Sequence, residues 1–239
     1  MLTAIGTDGL SQTVWPIGGS AHTEEISAAL ADKPTYLVDG HHRAAAALAY
    51  DDEVGTTGSS QILVAAFASD QLLNRAFHRV IVGRSIDDVL AAVGDRLDHR
   101  DLTAASIADP KFTDLAPDEV VLTGGGRWVA LRLPRTGGED VVSMLSDLDP
   151  VRMEDQWLSG VLGIDATAGD HQLRYRPGHT DLFESASATS DEGGVLCVSR
   201  PGPVDVVLAA ADAGLVMPPK STYFEPKVRS GVFVRSIVD

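Results

Sequence analysis

Asp39-Gly40-His41-His42-Arg43 sets a carboxylate, a glycine, two imidazoles and a guanidinium in five consecutive residues. Apolar Tyr36-Leu37-Val38 precedes them, and an alanine-rich run from Arg43 to Tyr50 follows. That order predicts a short strand, a very tight turn and a helix, alanine being the strongest helix former. A helix that opens straight after a strand leaves its first N–H groups unpaired, and the helix dipole adds partial positive charge there. An anion is favoured at such a place. Gly40 lets a ligand approach the backbone, while His41, His42 and Arg43 add donors within one turn. A purely structural helix start would not choose cations, which the dipole disfavours by a few tenths to about 1 kcal/mol. The structural alternative makes Asp39 an N-cap and the basic triplet a solvated first turn. Metal binding by His41, His42 and Asp39 is disfavoured, because adjacent helix residues point in different directions; no metal site is assigned.

Two further clusters carry chemistry. Lys220-Ser221-Thr222 has the ending of a P-loop, but Pro219 stands where that loop needs glycine, so the segment is not one. Its prolines fix the backbone, Lys220 offers a point charge, Ser221 and Thr222 offer hydroxyls, and Tyr223-Phe224 offer an aromatic wall. The structural alternative buries the two aromatics as core and leaves Lys220 solvated. His78-Arg79 stands beside the apolar Val80-Ile81-Val82, at a strand edge, where it could meet a phosphate or a carboxylate or be a plain surface pair. Asp181 and Glu184 have helical spacing after His179, but solvated acids are common in so acidic a chain and no acid–base role is assigned to them.

The elements that must position these residues are interspersed helices and strands. A strand is expected near Thr13–Ile17, a helix from Thr23 to about Ala31, and a buried strand over the apolar run Gln61–Ala68. A second strand follows near Val80. Ser85 caps a helix whose Ile86, Val89, Leu90 and Val93 share a face. Glu119–Thr123 and Trp128–Leu133 read as a hairpin turning on Gly124-Gly125-Gly126, which is a turn rather than a phosphate loop because no helix follows it. Further helices are expected over 149–162, 180–188 and 204–213, and strands over 173–175, 194–198 and 232–237. The class is α+β (mixed α/β), a mixed sheet with flanking helices, in a single domain over 1–239. It divides into a phosphate-motif part, 1–110, and a C-terminal part, 111–239, that carries the Lys-Ser-Thr-Tyr-Phe loop.

Composition narrows the partners. The 239 residues, 44% of them hydrophobic, suffice for an ordinary core. A single cysteine, Cys197, excludes an intramolecular disulfide and fits a cytoplasmic protein. No apolar run approaches the roughly 20 residues that span a bilayer, so no membrane role is expected. A formal net charge of -15 repels nucleic acid over the whole surface. A small phosphorylated ligand is still admitted, since a few cations and oriented N–H groups dominate locally in a hollow. A homo-oligomer is left open.

The stretch Tyr36 to Ala45, Tyr-Leu-Val-Asp-Gly-His-His-Arg-Ala-Ala, resembles the hallmark of a family known as domain of unknown function 1015. The tail from Met217 to Gly231, with Lys220 and Lys227, resembles its second hallmark, and Phe77-His78-Arg79-Val80 is similar to a third. The turn is also similar to the nucleotide-phosphate motif of the ParB and sulfiredoxin superfamily, which includes free-serine kinases. That resemblance implies that Gly40, His41, His42 and Arg43 hold phosphates of ATP or ADP with magnesium, with Asp39 as the catalytic carboxylate near the transferred group. His78, Arg79, Lys220, Ser221 and Thr222 are the further candidate cofactor contacts. Members of the family usually carry an additional N-terminal portion, which this sequence begins after. The expected function is nucleotide or phosphate binding, in the form of a small-molecule, serine-like kinase or of a non-catalytic binding module.

Overall fold

The computed structural model describes residues 1–6, 9, 11–55, 62–103, 106–107, 114–165, 170–228 and 231–234. The elements in chain order are β1 (Leu2–Ile5), β2 (Ser11–Val14), α1 (Ser20–Ala31), α2 (His41–Val54), β3 (Leu73–Arg75), β4 (Phe77–Ile81), α3 (Ile86–Val93) and β5 (His99–Asp101). There follow β6 (Glu119–Gly124), β7 (Arg127–Arg132), α4 (Val141–Ser146), α5 (Asp149–Met153), β8 (Leu173–Pro177), α6 (Leu182–Asp191), β9 (Val195–Val198), α7 (Val204–Asp212) and β10 (Tyr223–Glu225). The chain divides into two compact units, Met1–Ala66 with Lys227–Asp239, and Phe67–Pro226. Neither boundary falls near residue 110, where the sequence invited a division.

The second unit holds the hydrophobic core of the described residues. Its six-stranded sheet has the order β5-β7-β6-β9-β4-β8, and every pairing in it is antiparallel. The class is α+β as expected, with antiparallel pairing where a mixed sheet was anticipated. Strand alternation sends Ile81, Leu122, Leu131 and Cys197 to one face, under the apolar stripe of α3 and under Met153, Trp157 and Leu158. Met153 ends α5, and Trp157 and Leu158 lie in the π-helical turn, Glu154–Leu158, that continues it. Val80, Val121, Leu196 and Val198 line the other face with Ala186 and Leu182 of α6. Local chemistry explains the boundaries. Ser85 and Asp88 form a reciprocal capping box at the start of α3. Gly125 and Gly126, at φ 57° and 80°, turn β6 into β7, because both central residues of such a hairpin need positive φ. The pair β3–β10 joins residues 75 and 223, a long-range pairing with no local signal in the sequence.

The first unit is built differently. β1 and β2 pair antiparallel, α1 and α2 follow, and Asp51 is the one buried residue among those described there. Two expectations fail in this part of the chain. Residues 36–38 are not a strand, and residues 62–68 are neither strand nor buried, with Ile62, Leu63 and Val64 exposed. An apolar run specifies burial only where a pairing edge and a facing surface exist, which periodicity alone does not report. Gln61 lies outside the described residues, as do positions 235–237 of the expected last strand; 232–234 are not strand. Among the described residues no helix is long and apolar enough to cross a membrane.

Candidate functional site

The turn before α2 shows why the helix begins where it does. The helix starts at His41, and Gly40 is its N-cap in the left-handed region, φ 84° and ψ 23°, which glycine adopts without cost. No side chain caps it, so Asp39 is not the N-cap. The first helical bond runs from Ala44 N–H to Gly40 O at 3.0 Å. The N–H groups of His41, His42 and Arg43 therefore stand ahead of the helical ladder, at an exposed helix start.

Arg43 folds back over this turn. A Cβ placed on Gly40 would lie 2.9 Å from Arg43 Nη2 and 3.1 Å from its Nε, so the guanidinium occupies the space a side chain at 40 would take. From there Nη2 reaches Asp39 Oδ2 at 3.3 Å, while Lys227 Nζ donates to Asp39 Oδ1 at 2.8 Å. The hydrogen bond from Lys227 is the main reason the Asp39 carboxyl is held below its ordinary range; burial opposes it, and the charges of Lys227, Arg43 and His41 add to it. The result is a helix start at which two cations, with His41 close enough to add its charge, converge around one ionised carboxylate. These ion pairs are exposed, with Arg43 and Asp39 side chains 73% and 53% accessible, and pairs of that kind are worth roughly 0 to 1 kcal/mol.

Lys227 was not singled out as a ligand. It follows Pro226 in the same basic, aromatic tail as Lys220, and that tail was the signal. What the sequence could not show is that this lysine meets a residue 188 positions earlier.

The remaining candidates belong to the second unit and do not form one cluster there. His78 and Arg79 are neighbours on β4 and so point to opposite faces of the sheet. Arg79 is 2% exposed, opposite Cys197, with Nη1 donating to Phe77 O at 3.2 Å and its guanidinium 5.6 Å from the Tyr175 ring centroid. Burial lowers the Arg79 pKa and pushes the Cys197 thiol up. The pair is thus interior rather than at a surface edge. His78 is 7% exposed, and its Nδ1 accepts the N–H of Ser199 at 3.3 Å.

In the 220–224 loop, Ser221 is buried and its hydroxyl donates to Pro218 O at 2.7 Å, which spends that donor on the loop itself. Thr222 is half-buried. Lys220 adopts φ 54°, a conformation uncommon for a residue with a side chain, and its Nζ lies 5.4 Å from the Phe77 ring centroid. Tyr223 meets Phe77 edge-on at 5.5 Å and stacks on His179 at 5.0 Å. The expected aromatic wall is therefore Tyr223 with Phe77 and His179, while Phe224 is buried. Asn74 fixes the loop, accepting from Tyr223 N–H and donating to Gly202 O. Asp181 caps α6 through the N–H groups of Phe183 and Glu184, a structural task.

No curated protein matches the sequence significantly. Among solved structures, the chain resembles a free serine kinase in complex with AMP, at 16% identity and a TM-score of 0.43 over 85% of this chain and 78% of that one. A mutant of a free serine kinase with AMP matches at 17% identity and a TM-score of 0.42, covering 79% of this chain. This chain spans 66% of the length of that kinase. A conserved hypothetical protein from Pyrococcus furiosus is similar at 17% identity, with a TM-score of 0.40 over 79% of this chain and 68% of that one. The family described as Protein of unknown function (DUF1015) matches residues 1–151, which include the Asp39–Arg43 turn and the His78-Arg79 pair, and the chain belongs to it.

Proposed function

We propose that the chain binds a phosphorylated small molecule, a nucleotide such as ATP or ADP, with its phosphates at the start of α2. The observation that carries this reading is the convergence of Arg43 and Lys227 on a left-handed Gly40 turn, beside three helix-start N–H groups. A helix terminus favours anions, and charge-assisted hydrogen bonds from a guanidinium and an ammonium add directional donors. His41 and His42 lie within the same turn. Bound phosphate would draw Arg43 and Lys227 away from Asp39, exchanging weak surface pairs for contacts with a more highly charged group.

The kinase form of the proposal adds transfer of the terminal phosphoryl group to the hydroxyl of a serine-like acceptor. That chemistry is chiefly positioning and charge neutralisation. Asp39 is the carboxylate that would orient the acceptor. Among the described residues no group of three or more His, Cys, Asp or Glu side chains could hold a metal ion, so magnesium would be carried largely by the nucleotide's own phosphates, with Asp39 as its contact from the turn. One observation favours the second reading, a binding module without turnover. Asp39 is already engaged by two cations and held well ionised, which makes it a counter-ion to the pocket as readily as a participant.

Calorimetric titration with ADP, ATP and inorganic phosphate tests the binding. Arg43→Ala should weaken nucleotide affinity about tenfold or more with the fold intact, since a charge-assisted hydrogen bond contributes roughly 1.5 to 3 kcal/mol. Unchanged affinity rejects Arg43 as a ligand. Incubation of the same protein with ATP or ADP and a panel of hydroxy-amino acids separates kinase from binding module: phosphorylated acceptor establishes the first, and nucleotide binding without consumption establishes the second.

A further inference from the structure

The second unit contains a hollow of about 520 Å³ that the nucleotide reading does not use. It opens on the sheet face of Val121 and Val198, beside the start of α6, and His78 lines it from β4. Its size is that of ordinary small-molecule pockets, roughly 300 to 1,000 Å³.

Of its charged walls, all but Asp181, which caps α6, are neutralised by partners of opposite charge. Glu119 accepts two bonds of 2.8 Å from Arg100 and one of 3.0 Å from Ala116 N–H. Asp149 is held by Arg152 and Arg200, and Arg75 by Glu225. His78 differs. Its Nδ1 is committed to the N–H of Ser199, its Nε2 has no partner among the described residues, and the side chain is more than nine-tenths buried. Because Nδ1 accepts, the neutral ring carries its proton on Nε2, and burial keeps the ring neutral by lowering its pKa to about 4. The pocket therefore presents apolar walls, cations already paired and, on buried His78, an unspent donor.

We infer that this hollow is a second ligand site, selective for an uncharged, largely apolar small molecule whose single hydrogen-bond acceptor, a carbonyl oxygen or ring nitrogen, meets His78 Nε2–H. An anionic guest would gain no counter-ion, because the facing cations Arg75 and Arg200 are already paired. A guest with no acceptor would leave Nε2–H buried without a bond, and an unmet buried donor is costly.

Acetophenone, ethylbenzene and benzoate, similar in size, separate these cases when titrated by NMR into the whole protein and into two variants. His78→Asn keeps an acceptor for Ser199 N–H and moves the donor away from the Nε2 position, its amide N–H groups ending one bond nearer the backbone. Thr180→Trp fills the hollow from a half-buried loop position outside the sheet, and an unchanged unfolding midpoint verifies its fold. Acetophenone should bind about fivefold tighter than ethylbenzene, the net value of one hydrogen bond. That preference should vanish in His78→Asn, and binding of both should be lost in Thr180→Trp. Equal affinity for acetophenone and ethylbenzene, tightest binding of benzoate, binding unaltered in Thr180→Trp, or no binding of any probe would each overturn the inference.

Discussion

His78 offers a direct measurement of how strongly the second unit resists a buried charge. Its pKa is lowered from 6.5 to about 4, first by burial and then by the charge of Arg79. A histidine whose folded pKa lies below its unfolded value destabilises the fold when protonated. The contribution is absent above the unfolded pKa, grows as pH falls from 6.5 toward 4, and is complete below the folded value. A difference of roughly 2.5 units corresponds to about 3 kcal/mol in the limit, and to about 2 kcal/mol between pH 7 and pH 5. Other groups titrate in this range too, so the quantity to measure is a difference. Denaturant unfolding, followed through buried Trp157, is compared for the wild type and His78→Asn, which retains an acceptor for Ser199 N–H but cannot titrate. Whatever the substitution costs at pH 7, it should cost about 2 kcal/mol less at pH 5. A constant difference between the two proteins across that range, or an imidazole that titrates near 6.5 by NMR, would refute the assignment of His78 as a buried neutral donor.

Three other outcomes follow from the same geometry. Gly40→Ala places a Cβ against Arg43 at a left-handed φ, so it should destabilise the turn by about 1 to 2 kcal/mol and weaken phosphate binding; amide exchange in α2 and ADP titration would show neither if the turn is unimportant. Asp149→Ala leaves Arg152, 1% exposed, without its carboxylate and should cost about 3 to 5 kcal/mol in denaturant unfolding; a loss below 1 kcal/mol would show that the pair is not buried in solution. Asp39→Asn removes a negative charge from the phosphate turn and should tighten ADP binding about threefold, from roughly 0.7 kcal/mol of repulsion at 6 Å in water, while abolishing any turnover; weaker ADP binding would show that Asp39 holds the donors in place rather than competing for them.

What could be read in advance was what local chemistry specifies. The Ser85 capping box, the glycine turn between β6 and β7, and the face shared by Ile86, Val89, Leu90 and Val93 are set by residues within a few positions of one another, and the structure has all three. The site was half legible for the same reason. Gly40, His41, His42 and Arg43 declare a helix start fit for an anion, but Lys227 joins Asp39 across 188 positions. The β3–β10 pairing that brings Tyr223 beside Arg75 is equally non-local. Where an apolar run met no pairing strand, as at 62–68, composition predicted burial that the fold does not provide.

The contrast between the two units sharpens the assignment of the turn. In the second unit the buried carboxylates are closed by partners of opposite charge: Asp149 by Arg152 and Arg200, Glu119 by Arg100, Asp147 by Arg135. Those networks are spent on the fold, because removing one member strands another away from water. At the α2 start the charges are exposed, the pairs are weak, and two cations sit where a helix dipole disfavours them. Stability gives no reason to place Arg43 and Lys227 there. The proposed anion would supply one, since it would gain the dipole, the helix-start N–H groups and both cations at once, leaving Asp39 as the charge it displaces.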